Sequence, residues 1–373
     1  MHASLAFLLA FVALSVQAAP AGNACVVDSI AAAKNAASCS TITIKSFTVP
    51  GGQTLALEGL KDGTIVNFAG DLTFGYKEWE GPLFRVSGAS DSAKVTVVRV
   101  DVWSNLVPSG VNGNGHVLDG QGQLYWDGKG GNGGKTKPHP MVKLNAAGSV
   151  SKLVVKNTPA HAISVGAKGA LVIDSVTIDD TLGATKGGHN TDCFDVSSVN
   201  GLTIQNSICK NQDDCLALND GKNVKFLNNQ CIGGHGISIG SIKAGKHVDN
   251  VLIQGNTIAD SDQALRIKTY NAAKDASVSN IHYNDNHATN IKKYGMMVVQ
   301  DYTNDGETGK VDQPMPITNV NFEGKPSTIV MNGGQAYKVL CGANSCTGTW
   351  DWSLLKISGK SKAGTSNIKN IKW

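Results

Sequence analysis

Proline is scarce, ten residues in 373, and charged side chains make up only 17% of the chain, against 43 glycines. Many glycines with few charges and frequent Asn, Val and Ile suit a turn-rich all-β protein better than a helical one. A net charge of +4, dispersed and without a basic stripe, does not fit a nucleic-acid binder. No apolar run is long enough to cross a bilayer. The apolar stretch at residues 5–18 is too short to span and ends in Val16-Gln17-Ala18, with small residues at cleavage-type positions. It reads as a signal peptide, residues 1–18, leaving a soluble, secreted chain from residue 19 to 373 that folds as one domain. There is no Asn-x-Ser/Thr acceptor, so N-glycosylation is not expected.

The eight cysteines are even in number, which in a secreted chain points to four disulfides. Cys25 with Cys39 and Cys341 with Cys346 are local pairs near the two ends. Cys193, Cys209, Cys215 and Cys231 allow three pairings. A zinc site would call for a C-x2-C pair, which this spacing lacks.

Asp28-Ser29 caps an Ala-rich run, and the pattern predicts a single short helix over residues 30–37 that covers one end of the fold. Alternating runs at residues 54–57, 64–68 and 95–98 predict strands, and residues 113–137 read as a long irregular excursion of the kind that walls a site or contacts a partner. A repeat becomes legible further on. Its units open at Leu153, Leu171, Leu202, Val224, Val251, Ile281 and Val320, and each is an alternating strand ending in Asn or a small polar residue. No such unit buries its apolar face alone, so the units stack. The architecture expected is a right-handed parallel β-helix, a solenoid of about ten coils with a short N-terminal capping helix. A β-sandwich is the alternative and needs hairpins between neighbouring strands.

Four polar clusters fall in phase with this repeat: Asn190-Thr191-Asp192, Gln212-Asp213-Asp214, Gly234-His235-Gly236 and Arg266-Ile267-Lys268. Taken singly, each is ordinary turn text or a solvated strand face. Together they open successive strands, and coils stack about 4.8 Å apart. Asp192, Asp214, His235, Arg266 and Tyr294 are therefore expected in one column, a place for carboxylate chemistry on an anionic substrate.

In this order the four clusters resemble the signature of polygalacturonases, the pectin-hydrolysing glycosidases of the right-handed β-helix class. The stretches 62–82, 115–120, 126–129, 135–138 and 293–301 are also similar to the endo-acting members, so the resemblance covers most of the chain. It implies a secreted endo-polygalacturonase that hydrolyses α-1,4-galacturonosidic bonds with inversion and needs no metal or cofactor. Asp214 is then the general acid, Asp192 and Asp213 hold and activate the attacking water, and His235 tunes the protonation of the acid. Asn190, Arg266, Lys268 and Tyr294 grip galacturonate. The resemblance supports Cys215–Cys231, and the repeat copies that bridge as Cys193–Cys209. Polygalacturonate or pectin is the implied partner of a monomer, with plant polygalacturonase-inhibiting proteins as a second, and neither nucleic acid nor membrane. A β-helix polysaccharide lyase and a non-catalytic pectin-binding protein are the competing readings.

Overall fold

The computed structural model describes residues 23–91, 93–99 and 116–373. The signal peptide expected at residues 1–18 lies outside the described residues. Each turn of the chain contributes short strands to three faces, and each strand pairs in parallel with its equivalent one turn on. The first face stacks twelve strands from Ala24–Val27 to Cys346–Thr347, two more than the ten or so coils expected. The second and third faces run from Phe47–Val49 and Leu55–Leu60 and merge in the long strand Ser327–Leu340. One antiparallel exception pairs Tyr302 with Glu307 at a rim hairpin. This is the parallel β-helix, not the sandwich.

Alternation drives the winding. On the first face Leu202 and Ile204 are buried while Thr203 between them is half-buried, and Val224 and Phe226 are buried around an exposed Lys225. The register links Leu171, Leu202, Val224, Val251, Ile281 and Val320 in one row, as the repeat predicts. The first unit is misread by the pattern: Gly148, not Leu153, pairs with Leu171. Leu153 is a buried corner residue ahead of the strand Val154–Lys156. Its burial gives the corner the same apolar signal as a strand start.

Corners between the first and second faces bend through a left-handed residue, Ser175, Asn206, Asn228 or Asp285, all with φ near 55°. Asn and Asp tolerate that region best among non-glycine residues. The next residues, Ser207, Asn229, Asn256 and Asn286, point inward and stack. Asn229 Nδ2 donates to Asn256 Oδ1 (3.2 Å), and Asn256 Nδ2 donates to Asn286 Oδ1 (2.9 Å). These amides also cap buried backbone groups such as the Phe226 carbonyl, so the interior polar row is satisfied.

The expected helix over 30–37 is two pieces, an α-turn Ile30–Ala33 and a 3-10 turn Ala36–Ser38. Ser29 caps the first by accepting from the Ala32 N–H. Cys39, bonded to Cys25 on the first strand, ends the second in an extended conformation. All four expected disulfides are present: Cys25–Cys39, Cys193–Cys209, Cys215–Cys231 and Cys341–Cys346. The two inner bridges each span 16 residues and lie in adjacent coils, with Cys209 paired to Cys231 in register. Each such loop closure stabilises by about 3 kcal/mol in the chain-entropy picture. Both run through the buried core beneath the corners that carry residues 211–214 and 190–192.

Candidate active site

The third face sets the site. Ile163 pairs with Phe194, Phe194 with Leu216, Leu216 with Ile237, Ile237 with Leu265 and Leu265 with Met296. Two residues ahead of these core positions stand His161, Asp192, Asp214, His235, Gln263 and Tyr294. The expected column exists, but Arg266 is not in it; Gln263 is. Arg266 lies one residue past Leu265, in the outward row with Asp195, Ala217 and Ser238. The phase error came from treating Arg266 as the first residue of its strand, which begins at Gln263.

Seven of the eight expected side chains meet in one groove of about 520 Å³: Asn190, Asp192, Asp213, Asp214, His235, Arg266 and Lys268. Tyr294 is not brought among them. It lines a neighbouring depression with Gln335 and Lys362, and Lys293 is common to both. Side chains that sequence reasoning passed over also line the groove: His161, Asp195, Gln263, Tyr270 and Tyr302. His161 carried a legible signal, since it precedes Ile163 by the interval that separates Asp192 from Phe194.

The corners are locked from beneath. The buried amide of Asn211 donates to the Thr191, Asp213 and Asp214 carbonyls at 2.9, 2.9 and 3.0 Å, tying two coils at the site. His235 stands between two glycines in the left-handed region, with φ of 60° at Gly234 and 75° at Gly236. A Cβ at Gly234 would lie 2.0 Å from the Asp213 carbonyl oxygen, and one at Gly236 would lie 2.2 Å from that of Gln263. Only glycine lets the chain pass close enough to put the imidazole against Asp213.

The three carboxylates have unlike surroundings. Asp214 Oδ1 accepts from Arg266 Nη2 (2.5 Å) and Ser238 Oγ (2.8 Å), and its Oδ2 accepts from Lys268 Nζ (2.9 Å). Both its oxygens thus serve cations. The same contacts turn the charges of Arg266 and Lys268 inward, where both residues are only 6% exposed. Burial works against the Arg266 charge, and Asp214 and Asp213 outweigh it, leaving its pKa raised.

Asp213 Oδ1 is 2.9 Å from His235 Nδ1, and its Oδ2 accepts from Asn190 Nδ2 (3.0 Å). Burial lifts the Asp213 carboxyl, but the His235 hydrogen bond and charge, with Lys268 and Arg266 behind, hold it well below the usual carboxylate range. Asp192 goes the other way. Burial first, then the charges of Asp213, Asp195 and Asp214, push its pKa well above the ordinary value. Its Oδ1 is buried with no hydrogen-bond partner among the described residues.

Asp213, Asp214 and His235 offer ligand atoms within 4.8 Å of one another, close enough in principle for a cation. Arg266 and Lys268 already supply the positive charge at Asp214, so the donor set does not fit a metal.

Behind the groove, Asp180 is fully buried and accepts from Thr158 N (2.6 Å) and Thr158 Oγ1 (2.7 Å), while its own carbonyl accepts from Gln212 Nε2. Burial raises its pKa to about 7 against the opposing Thr158 bonds. The folded state therefore holds this proton more tightly than the unfolded chain. The stabilisation is complete below the unfolded value near 4 and is lost as pH rises through 7, on the order of 4 kcal/mol in all. The native chain should unfold at progressively lower urea as pH rises from 4 to 8, and Asp180→Asn should flatten that dependence. An unchanged slope in the variant would remove Asp180 as the cause.

A parallel β-helix with carboxylates, imidazole and paired cations in one groove is built like the enzymes that cleave polysaccharides. Residues 39–373 match the model of glycosyl hydrolases family 28, and the chain belongs to this family. A polygalacturonase of Cochliobolus carbonum is 45% identical over 358 residues, covering 94% of this chain and 93% of that one. A probable endopolygalacturonase I of Aspergillus terreus is 42% identical over 347 residues, covering 92% and 88%. Among solved structures, endopolygalacturonase I from Stereum purpureum, complexed with two galacturonate, superposes with a TM-score of 0.81 at 45% identity and covers 93% and 98%.

Proposed function

We propose that this chain is a secreted endo-polygalacturonase that hydrolyses the α-1,4 bonds of polygalacturonate with inversion. The observation that carries the mechanism is the division of labour among the carboxylates. Asp214 is fixed by Arg266 and Lys268, Asp213 is joined to His235, and Asp192 presents an unpartnered oxygen. An imidazole that tunes the acid must touch it, and His235 touches Asp213, so the acid is Asp213. Asp213 rests ionised against His235, so the proton it donates comes to it across the 2.9 Å contact as the glycosidic oxygen draws it away.

In the reaction Asp213 gives that proton to the glycosidic oxygen as the C1–O bond breaks. A water held by Asp192 and Asp214 attacks C1 from the opposite face, and its proton goes to Asp192. Solvent then takes the proton from Asp192 and restores one to His235, whose side chain is about a quarter exposed. Arg266 and Lys268 keep Asp214 in place and raise the positive potential that a galacturonate carboxylate meets. A second reading exchanges two roles, making Asp192 the acid, because burial and three neighbouring carboxylates lift its pKa.

Residues 1–18 as a leader and 19–373 as one catalytic unit belong to the same proposal, supported by four disulfides that suit an oxidising compartment. A monomeric state and plant inhibitor proteins as partners are carried over with the resemblance. The test is chemical. Polygalacturonate should yield new reducing ends of mixed length with no unsaturated product, and NMR of fresh hydrolysate should show the β anomer first. Unsaturated ends would mean a lyase. An initial α anomer would mean a covalent intermediate and other roles for all three carboxylates.

A further inference from the structure

His161 occupies the column position one coil before Asp192, and the mechanism above leaves it without a task. Its imidazole stands between two carboxylates of the next coil: Nδ1 is 3.2 Å from Asp195 Oδ2, and Nε2 is 3.9 Å from Asp192 Oδ1. On its far side it meets the edge of the His139 ring at 4.9 Å, and His139 is itself bound to the Lys137 carbonyl. His161 keeps a third of its side chain exposed, whereas the two carboxylates it faces keep 10% and 19%. A proton from solvent therefore reaches the ring more readily than the acids behind it.

We propose that His161 and Asp195 are a charge-setting pair that fixes the pH at which Asp192 becomes ionised. They are positioning residues, acting on the bond-breaking step through Asp192. The reading rests on the assignment of Asp192 to the water. Asp192 faces Asp195, Asp213 and Asp214, with Lys268 as the opposing cation. Lys268 is bonded to Asp214, and a charged His161, with Nε2 3.9 Å from Asp192 Oδ1, adds a second positive charge beside Asp192. Asp195 faces the same groups and His161, and burial raises its pKa while His161 lowers it. Asp192 and Asp195 are neighbours in one groove, both lifted by burial, so they titrate as a group and the sign at that level is fixed. One cation fewer raises the pH at which the group gives up its shared proton, and one anion fewer lowers it.

The experiment is the pH dependence of kcat and kcat/KM on polygalacturonate for the native chain, His161→Gln, Asp195→Asn and the double variant. His161→Gln should move the acid limb up by about one pH unit, with KM on the plateau little changed. Asp195→Asn should move it down, and in the His161→Gln background should bring it back toward the native position. Should the alkaline limb move in these directions instead, the pair still sets Asp192, and the assignment of Asp192 to the water falls. Loss of rate with both limbs in place would overturn the proposal, since a purely structural role lowers kcat without displacing a limb. Asp195→Asn keeps the test open if His161→Gln folds poorly, because its shift has the opposite sign.

Discussion

Asp213→Asn lowers kcat on polygalacturonate by roughly a thousandfold and leaves KM nearly unchanged, because the proton it supplies matters only as the glycosidic bond breaks. The diagnostic is the leaving group. On a galacturonide carrying an activated aryl group, whose departure needs no proton, Asp213→Asn should recover most of its rate. Asp192→Asn should lose as much on either substrate, since water activation is needed for both. The opposite pattern, rescue of Asp192→Asn alone, would hand the acid role to Asp192. The Asp192→Asn and Asp213→Asn double variant should cost far less than the product of the single losses, because the carboxylates act on one transition state.

The second large effect falls on Arg266. It is the buried partner of Asp214 and also holds Ser238, through Nε at 2.9 Å. Arg266→Met leaves Asp214 with a single cation inside the protein, and removing one member of a buried pair typically destabilises by about 4 kcal/mol. The variant should unfold at clearly lower urea and lose activity together. Adding Asp214→Asn takes the last anion from the buried Lys268 ammonium, so the double variant should be no more stable than Arg266→Met and equally inactive. If Arg266→Met matched the native chain in urea, the Arg266–Asp214 contact would not be holding the site.

Much of this was readable in the sequence because a solenoid converts periodicity into position. Six of the seven repeat openings, from Leu171 to Val320, fall in one row, since each is a buried apolar residue in a strand whose neighbours alternate. Leu153 fails because corners bury apolar residues too. Asp192, Asp214 and His235 could be aligned because each belongs to a three-residue polar cluster and stands two positions ahead of a core residue. Arg266 could not, because its strand is buried from Gln263 onward and alternation is lost across Gln263, Ala264 and Leu265. Proton traffic was the least legible part. Adjacent Asp213 and Asp214 differ only in what other coils bring to them, an imidazole for one and two cations for the other, and no local pattern encodes that. Tyr294 sits in the right column, yet the wall of the groove turns away before reaching it.

The two stacked sulfur bridges have a further consequence for how the molecule could be watched. All four cysteines are at most 1% exposed, and the bridges close under the corners that carry Asp192, Asp213 and Asp214. A thiol reagent reaches them only after such a corner lifts from the cylinder. At a fixed reductant concentration, their rate of reduction is then a clock for local breathing beneath the carboxylates, proportional to the fraction of time the corner stands open. A bound oligosaccharide that pins the corners would slow that clock, and the chain would report occupancy of its groove through chemistry on its hidden side.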